Sequence, residues 1–109
     1  MVPLPLNLLA TERAVTPGEH IDPLLEGAGF RLERICSFGV ASPEGFWYDQ
    51  EQPEWVMLVR GEAVLEFGSG EKLSLRTGDT LTIPSGCKHR VVSVVADAIW
   101  LALHFTPTK

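Results

Sequence analysis

Cysteine is scarce in this sequence. Cys36 and Cys87 are the only two in 109 residues, too few for a disulfide framework, so a reducing cytoplasm is the expected compartment. Basic residues are scarce as well: nine Lys and Arg stand against fourteen Asp and Glu, a formal charge of −5. An acidic chain gains nothing from phosphate backbones or anionic lipid surfaces, so neither nucleic acid nor membrane is an expected partner. No stretch approaches the ~18 consecutive apolar residues of a membrane span. The opening MVPLPLNLLA is apolar, but it has no basic n-region and carries two prolines, which makes it a poor signal peptide. There is no internal repeat, P-loop, dinucleotide fingerprint, CxxC pair or Ser-His-Asp order to suggest those chemistries.

What is present is a β-protein of one domain. The hydrophobic fraction of 45% can build a core. A chain this short is only modestly stable alone, so a homodimer is expected. Residues 1–29 read as a preface: a proline-broken arm (Pro3, Pro5, Pro17) lying extended against the body, then a short helix over TPGEHIDPLLEGAG. Thr16 would cap that helix, Pro17 suits its first turn, and Gly27 would stop it. Pro23 inside the run keeps it short, and His20 on it is a solvated residue. From Phe30 to the end the punctuation changes. FRLERICSF alternates, EWVMLVR and EAVLEF flank a tight turn at Gly61, and EKLSL, TLTI, HRVVSVVAD and AIWLALHF follow between glycine turns. Seven or eight short strands at this spacing predict an antiparallel sandwich or barrel.

One segment carries more than strand propensity. From Gly78 the chain reads Gly, five residues, Pro84, Ser85, Gly86, two residues, His89, three residues, Ser93. This pattern resembles the second motif of the cupins, small jelly-roll barrels, with every fixed position matched except the last, where Ser93 replaces Asn. The first cupin motif is half present. Glu54, six residues and Gly61 match its second half, but the His-x-His that should precede Glu54 is missing. With a four-residue gap the paired positions fall on Trp47 and Asp49; with a three-residue gap they fall on Tyr48 and Gln50. The resemblance covers roughly residues 30–105 and implies an all-β, cupin-type double-stranded β-helix (jelly roll), here with a short N-terminal helix and arm.

It also implies a site. In cupins the two motifs form adjacent strands that bring metal ligands together near one mouth of the barrel. By that resemblance His89 supplies a nitrogen, Glu54 an oxygen and, if the four-residue gap holds, Asp49 a second oxygen; His104, on the Trp100 face of the final strand, is a fourth ligand, a general base or a structural histidine. A divalent first-row ion (Mn, Fe, Ni or Zn) accepts such mixed N/O donors. A set with one imidazole and two carboxylates tilts toward the harder ions. Cys87 is a small apolar filler rather than a ligand. The aromatic run Phe46, Trp47 and Tyr48, together with Trp55, reads either as core packing or as the wall of a substrate pocket. Trp47, Tyr48, Gln50 and Ser93 are the candidate pocket residues for a small organic molecule. Two functions of different class follow: a metal-dependent enzyme of oxygenase or isomerase type, or a non-catalytic binding or sensing barrel that has lost its metal. The missing His-x-His favours the second, and the retained Glu54 and His89 favour the first.

Overall fold

The computed structural model describes residues 2–11, 19–38 and 41–108. Eight strands run in chain order: β1 Glu19–Gly27, β2 Phe30–Phe38, β3 Glu54–Arg60, β4 Glu62–Phe67, β5 Lys72–Arg76, β6 Thr80–Ile83, β7 His89–Val94 and β8 Ala96–Phe105. They form two sheets, a five-stranded one in the order β1-β2-β8-β3-β6 and a three-stranded one in the order β5-β4-β7. Every pairing is antiparallel. This is the antiparallel sandwich the strand spacing predicted, arranged as the jelly roll the motif resemblance implied, with inner faces closing on one core as in other aligned sandwiches.

Side-chain alternation decides what enters that core. On β3, Glu54, Val56 and Leu58 are buried while Trp55, Met57 and Val59 are half-buried on the other face. Val56 and Leu58 join Ala63, Leu65, Leu75, Ile83, Ala98, Trp100 and Ala102 in one cluster. Leu58 and Ala102 are wholly inaccessible. The β3–β4 turn depends on Gly61. Its φ of 110° is left-handed, and a Cβ there would sit 3.0 Å from the Ala98 side chain, so no other residue fits both the conformation and the space. Gly86, with φ of 71°, makes the turn that brings the chain from Pro84 back toward His89.

The preface departs from the sequence reading. Thr16 and Pro17 lie outside the described residues, but Glu19–Gly27 is a strand, not a helix. Pro23 removes a donor that a helix interior needs, and β2 offers a long antiparallel partner from Glu19↔Ser37 to Gly27↔Phe30. A register shift between Pro23 and Leu25 absorbs the proline. His20 therefore sits on β1, exposed. The arm does lie against the body. Arg34, buried on the outer face of β2, bridges Asp22 (2.8 Å) and the carbonyls of Leu8 (3.3 Å) and Ala10 (3.2 Å).

Candidate functional site

Three neighbouring strands line up one charged row inside the barrel. Arg31 on β2 pairs with His104 on β8, which pairs with Glu54 on β3, which pairs with Ile83 on β6. The next inward row is Glu33, Ala102, Val56 and Leu81, and below it come Ile35, Trp100 and Leu58. Ala102 is small, so Glu33 beside it has room to reach up to His104. The second sheet contributes His89 from the start of β7. His89 forms an antiparallel bridge with Tyr48 through backbone hydrogen bonds of 2.7 and 3.1 Å. The Gln50 carbonyl accepts from Gly86 N at 2.9 Å. These contacts lash the Tyr48–Gln50 segment to the Gly86–His89 turn.

The resulting cavity has a volume of about 200 Å³. Its polar lining is Glu19, Arg31, Glu33, Tyr48, Gln50, Glu54, His89 and His104, set against apolar walls that include Val56, Leu65, Ile83, Val91 and Trp100. Glu54 lies at the centre. Its Oε2 is 3.3 Å from His104 Nε2, and its Oε1 is 3.7 Å from His89 Nε2. His104 Nε2 is also 3.1 Å from Glu33 Oε1, and Glu33 Oε2 accepts from Arg31 Nε at 3.1 Å.

The partners assign the two imidazoles opposite tautomers. His89 Nδ1 lies 3.0 Å from the Cys87 carbonyl. A carbonyl only accepts, so Nδ1 carries the hydrogen, and in the neutral ring Nε2 turns a bare lone pair into the cavity. His104 Nε2 faces carboxylate oxygens, so that nitrogen carries the hydrogen and donates. Burial, with Arg31 acting in the same direction, lowers the His104 pKa and keeps the ring neutral. Burial, reinforced by the like charge of Glu33, pushes Glu54 up to about 7. Tyr48 is raised by burial and by its hydrogen bond to Glu19, and its phenol donates to Glu19 Oε1 at 2.5 Å. The Tyr48 ring stacks on His89 with centroids 5.3 Å apart and takes the edge of Phe46 at 4.9 Å.

Several sequence candidates meet here and others do not. Glu54, His89, His104, Tyr48 and Gln50 line the cavity. The chain thus takes the three-residue register of the first motif, because the Tyr48–His89 bridge turns Tyr48 and Gln50 inward. Asp49 and Trp47 fall on the opposite parity and are exposed. Asp49 is not among the cavity residues, and Trp47 packs instead under the Arg90 guanidinium at 5.8 Å. Ser93 is exposed on β7 and lines a shallow outer groove with Val64 and Ser74. Trp55 lies on the half-buried outer face of β3. Sequence reading missed Glu19, Arg31 and Glu33. The signal for the last two was the charge interrupting FRLERICSF, where Arg31, Glu33 and Ile35 share one parity.

A family model described as "Cupin domain" matches residues 41–104. The chain belongs to the cupin family. Solved structures agree with that placement. A proposed mannose-6-phosphate isomerase from Ralstonia eutropha JMP134 is 44% identical, covers 96% of this chain and 100% of its own, and superposes with a TM-score of 0.88. An RmlC-like cupin from Desulfovibrio desulfuricans (18% identity, 98% and 100% coverage, TM-score 0.77) and a cupin from Desulfitobacterium hafniense DCB-2 (19%, 97% and 92%, 0.75) share the fold. No curated protein matches the chain.

The donor set of this cupin does not fit the metal that the motif implies. Among the described residues no three His, Cys, Asp or Glu side chains form a group that could hold an ion. Asp49 is turned outward, and His104 presents N–H rather than a lone pair. His89 Nε2 and Glu54 remain, with the neutral amide oxygen of Gln50 beside them. The same pair, with its hydrogen-bonded neighbours, is suited to moving protons. Glu33 accepts from His104 Nε2 at 3.1 Å, and Glu54 lies between that nitrogen (3.3 Å) and His89 Nε2 (3.7 Å). No described helix is long and apolar enough to cross a membrane.

Proposed function

We propose that this cupin is a small enzyme of isomerase type that transfers protons on a small organic molecule, with Glu54 taking up and returning the proton. The observation that carries this reading is the placement of the Glu54 carboxyl, buried between His89 Nε2 and His104 Nε2–H at the base of one open-mouthed cavity. A carboxyl with a pKa near 7 is divided between its two forms at neutral pH, which suits a group that must act first as base and then as acid. In a hydroxy-carbonyl substrate the carboxylate removes a proton from the carbon beside the carbonyl. The C–H electron pair becomes the C=C bond of an enediolate, and the former carbonyl oxygen gains the proton that His89 Nε2 relays from the neighbouring hydroxyl. The bare His89 nitrogen accepts the proton of the neighbouring hydroxyl, whose oxygen becomes the new carbonyl as Glu54 delivers its proton to the other carbon. Atoms and electrons balance within the substrate, so no oxidant or reductant is required.

The isomerase named for the 44% identical relative is consistent with this class of chemistry. The phosphate of its substrate suits this cavity less well, because Arg31 is the one Lys or Arg among the described residues that line it and is paired with Glu33. The test is solvent hydrogen exchange. Mannose, mannose-6-phosphate and dihydroxyacetone are incubated with the protein in D₂O, and deuterium at the carbon beside the carbonyl is read by NMR. Exchange that falls about 10²–10⁴-fold in Glu54→Gln supports the reading; exchange unchanged by that variant, or absent throughout, overturns it.

A second reading, a binding barrel without turnover, draws on the absence of both histidines from the first motif. Metal analysis of untagged protein addresses the metal-dependent alternative. A stoichiometric ion lost in both Glu54→Ala and His89→Ala would replace the metal-free scheme. The proposal also includes a cytoplasmic homodimer, to which the two free cysteines and the exposed Leu4, Leu6 and Leu9 of the arm lend support. Solution scattering at micromolar concentration measures the assembly.

A further inference from the structure

We infer that the cavity takes a small organic cation, an amine protonated at neutral pH, with its ammonium group against Glu54, His89 and Gln50 and its apolar body against the far wall. The inference deepens the reading above, since it rests on the cavity being the place where the small molecule binds.

The polar groups of the cavity are unbalanced in one direction. Tyr48 donates to Glu19, Arg31 Nε to Glu33 and His104 Nε2 to Glu33, which leaves the Gln50 amide and the outer Arg31 nitrogens, at the exposed rim, as the cavity's other donors. The acceptors are in surplus. His89 is over nine-tenths buried, and its inward Nε2 has no hydrogen-bond partner, the nearest carboxylate oxygen being 3.7 Å away. Gln50 Oε1 is a buried oxygen with no donor. Glu54 Oε1, the oxygen facing His89, receives no hydrogen bond. A buried acceptor without a donor, as at Gln50 Oε1, is costly unless a ligand satisfies it. A phosphate or carboxylate ligand brings only further acceptors, whereas an ammonium group brings three donors and no acceptor.

Charge points the same way. Among the described residues Glu19, Glu33 and Glu54 line the cavity against Arg31, and the Arg31 side chain is 45% exposed at the rim. An uncharged ligand leaves those carboxylates facing one another in a poorly solvated space, while a cation offsets them. Val56, Leu65, Ile83, Val91 and Trp100 offer no polar partner, so the rest of the ligand is apolar. A volume of about 200 Å³ is below that of sites for drug-sized ligands and suits about six to ten non-hydrogen atoms.

Three probes of nearly equal shape test the inference by calorimetry on chelator-treated protein at pH 7: benzylamine, benzyl alcohol and benzoate. Benzylamine is expected to bind at least about tenfold more tightly than the alcohol, and benzoate not detectably, since a charge-assisted contact is worth about that factor. Glu54→Gln should abolish the preference for the amine, and Gln50→Leu should reduce it several-fold. Alcohol or benzoate binding as tightly as the amine, or no probe binding at all, overturns the inference. The wild-type comparison needs no variant to fold. Because the readout is binding, an amine preference without deuterium exchange would keep this inference and remove the proposed reaction. Exchange without an amine preference would do the reverse.

Discussion

β2 and β3 flank β8 in the same sheet, and both alternate, yet they use the barrel interior in opposite ways. β3 sends Val56 and Leu58 into the core and reserves one inward position, Glu54, for chemistry. β2 sends Arg31 and Glu33 inward and keeps Leu32, Arg34 and Cys36 on the outer face. A buried guanidinium on an outer face is the unusual feature, and the arm explains it. Main-chain carbonyls of Leu8 and Ala10, together with Asp22, satisfy Arg34 where solvent would otherwise be. The contrast teaches that inward means apolar only where the barrel is packed. At the cavity the inward parity carries the charge.

Substitutions on the two strands sharpen this contrast. Leu58→Ala on β3 should give the largest loss, about 2–5 kcal/mol in denaturant unfolding, because a wholly buried leucine leaves a cavity. On the outer face of β2, Arg34→Ala should cost about 1–3 kcal/mol and speed amide exchange at Asn7–Ala10, since the arm loses its anchor.

Glu54→Gln should act in the opposite direction to both. The folded-state pKa of Glu54 is raised from 4.5 to about 7, so the folded protein binds this proton more tightly than the unfolded chain. The associated stability is fully present below pH 4.5 and is lost as pH rises through about 7. The variant, which cannot ionise, should therefore match wild type in acid. Above pH 7 it should be more stable, on the order of 2 kcal/mol by thermal or urea unfolding. A variant less stable at pH 8 than wild type would contradict the placement of Glu54. Glu33→Gln should leave the fold intact and lower the Glu54 pKa, because the like charge of Glu33 helps to raise it; a carboxyl NMR titration measures the shift. The smallest effects belong to Asp49→Asn and Ser93→Ala, each within about 0.5 kcal/mol in unfolding and without effect on probe binding, since both side chains lie outside the cavity.

Particular residues show how far the sequence could be read. The Gly78–His89 spacing located its hairpin and aimed His89 inward, because turn chemistry and parity are local properties. The strands from Phe30 onward were legible for the same reason. Glu19–Gly27 was not, since its helix-like cap and stop signals carry less free energy than the pairing of eight of its residues that β2 offers it. The first motif was legible only to within one residue. A slip of one exchanges Tyr48 and Gln50 for Trp47 and Asp49, and nothing local distinguishes the two.

By itself, then, the sequence determined an antiparallel β-barrel, the inward course of Glu54 and His89, and the scarcity of positive charge near them. Only the tertiary structure decided the register that admits Tyr48 and Gln50, the entry of Arg31 and Glu33 from β2, and the opposed tautomers of His89 and His104. Those features depend on hydrogen bonds between segments as distant as Glu33 and His104. Which donor meets which acceptor is settled when the sheets close, and no local pattern encodes it.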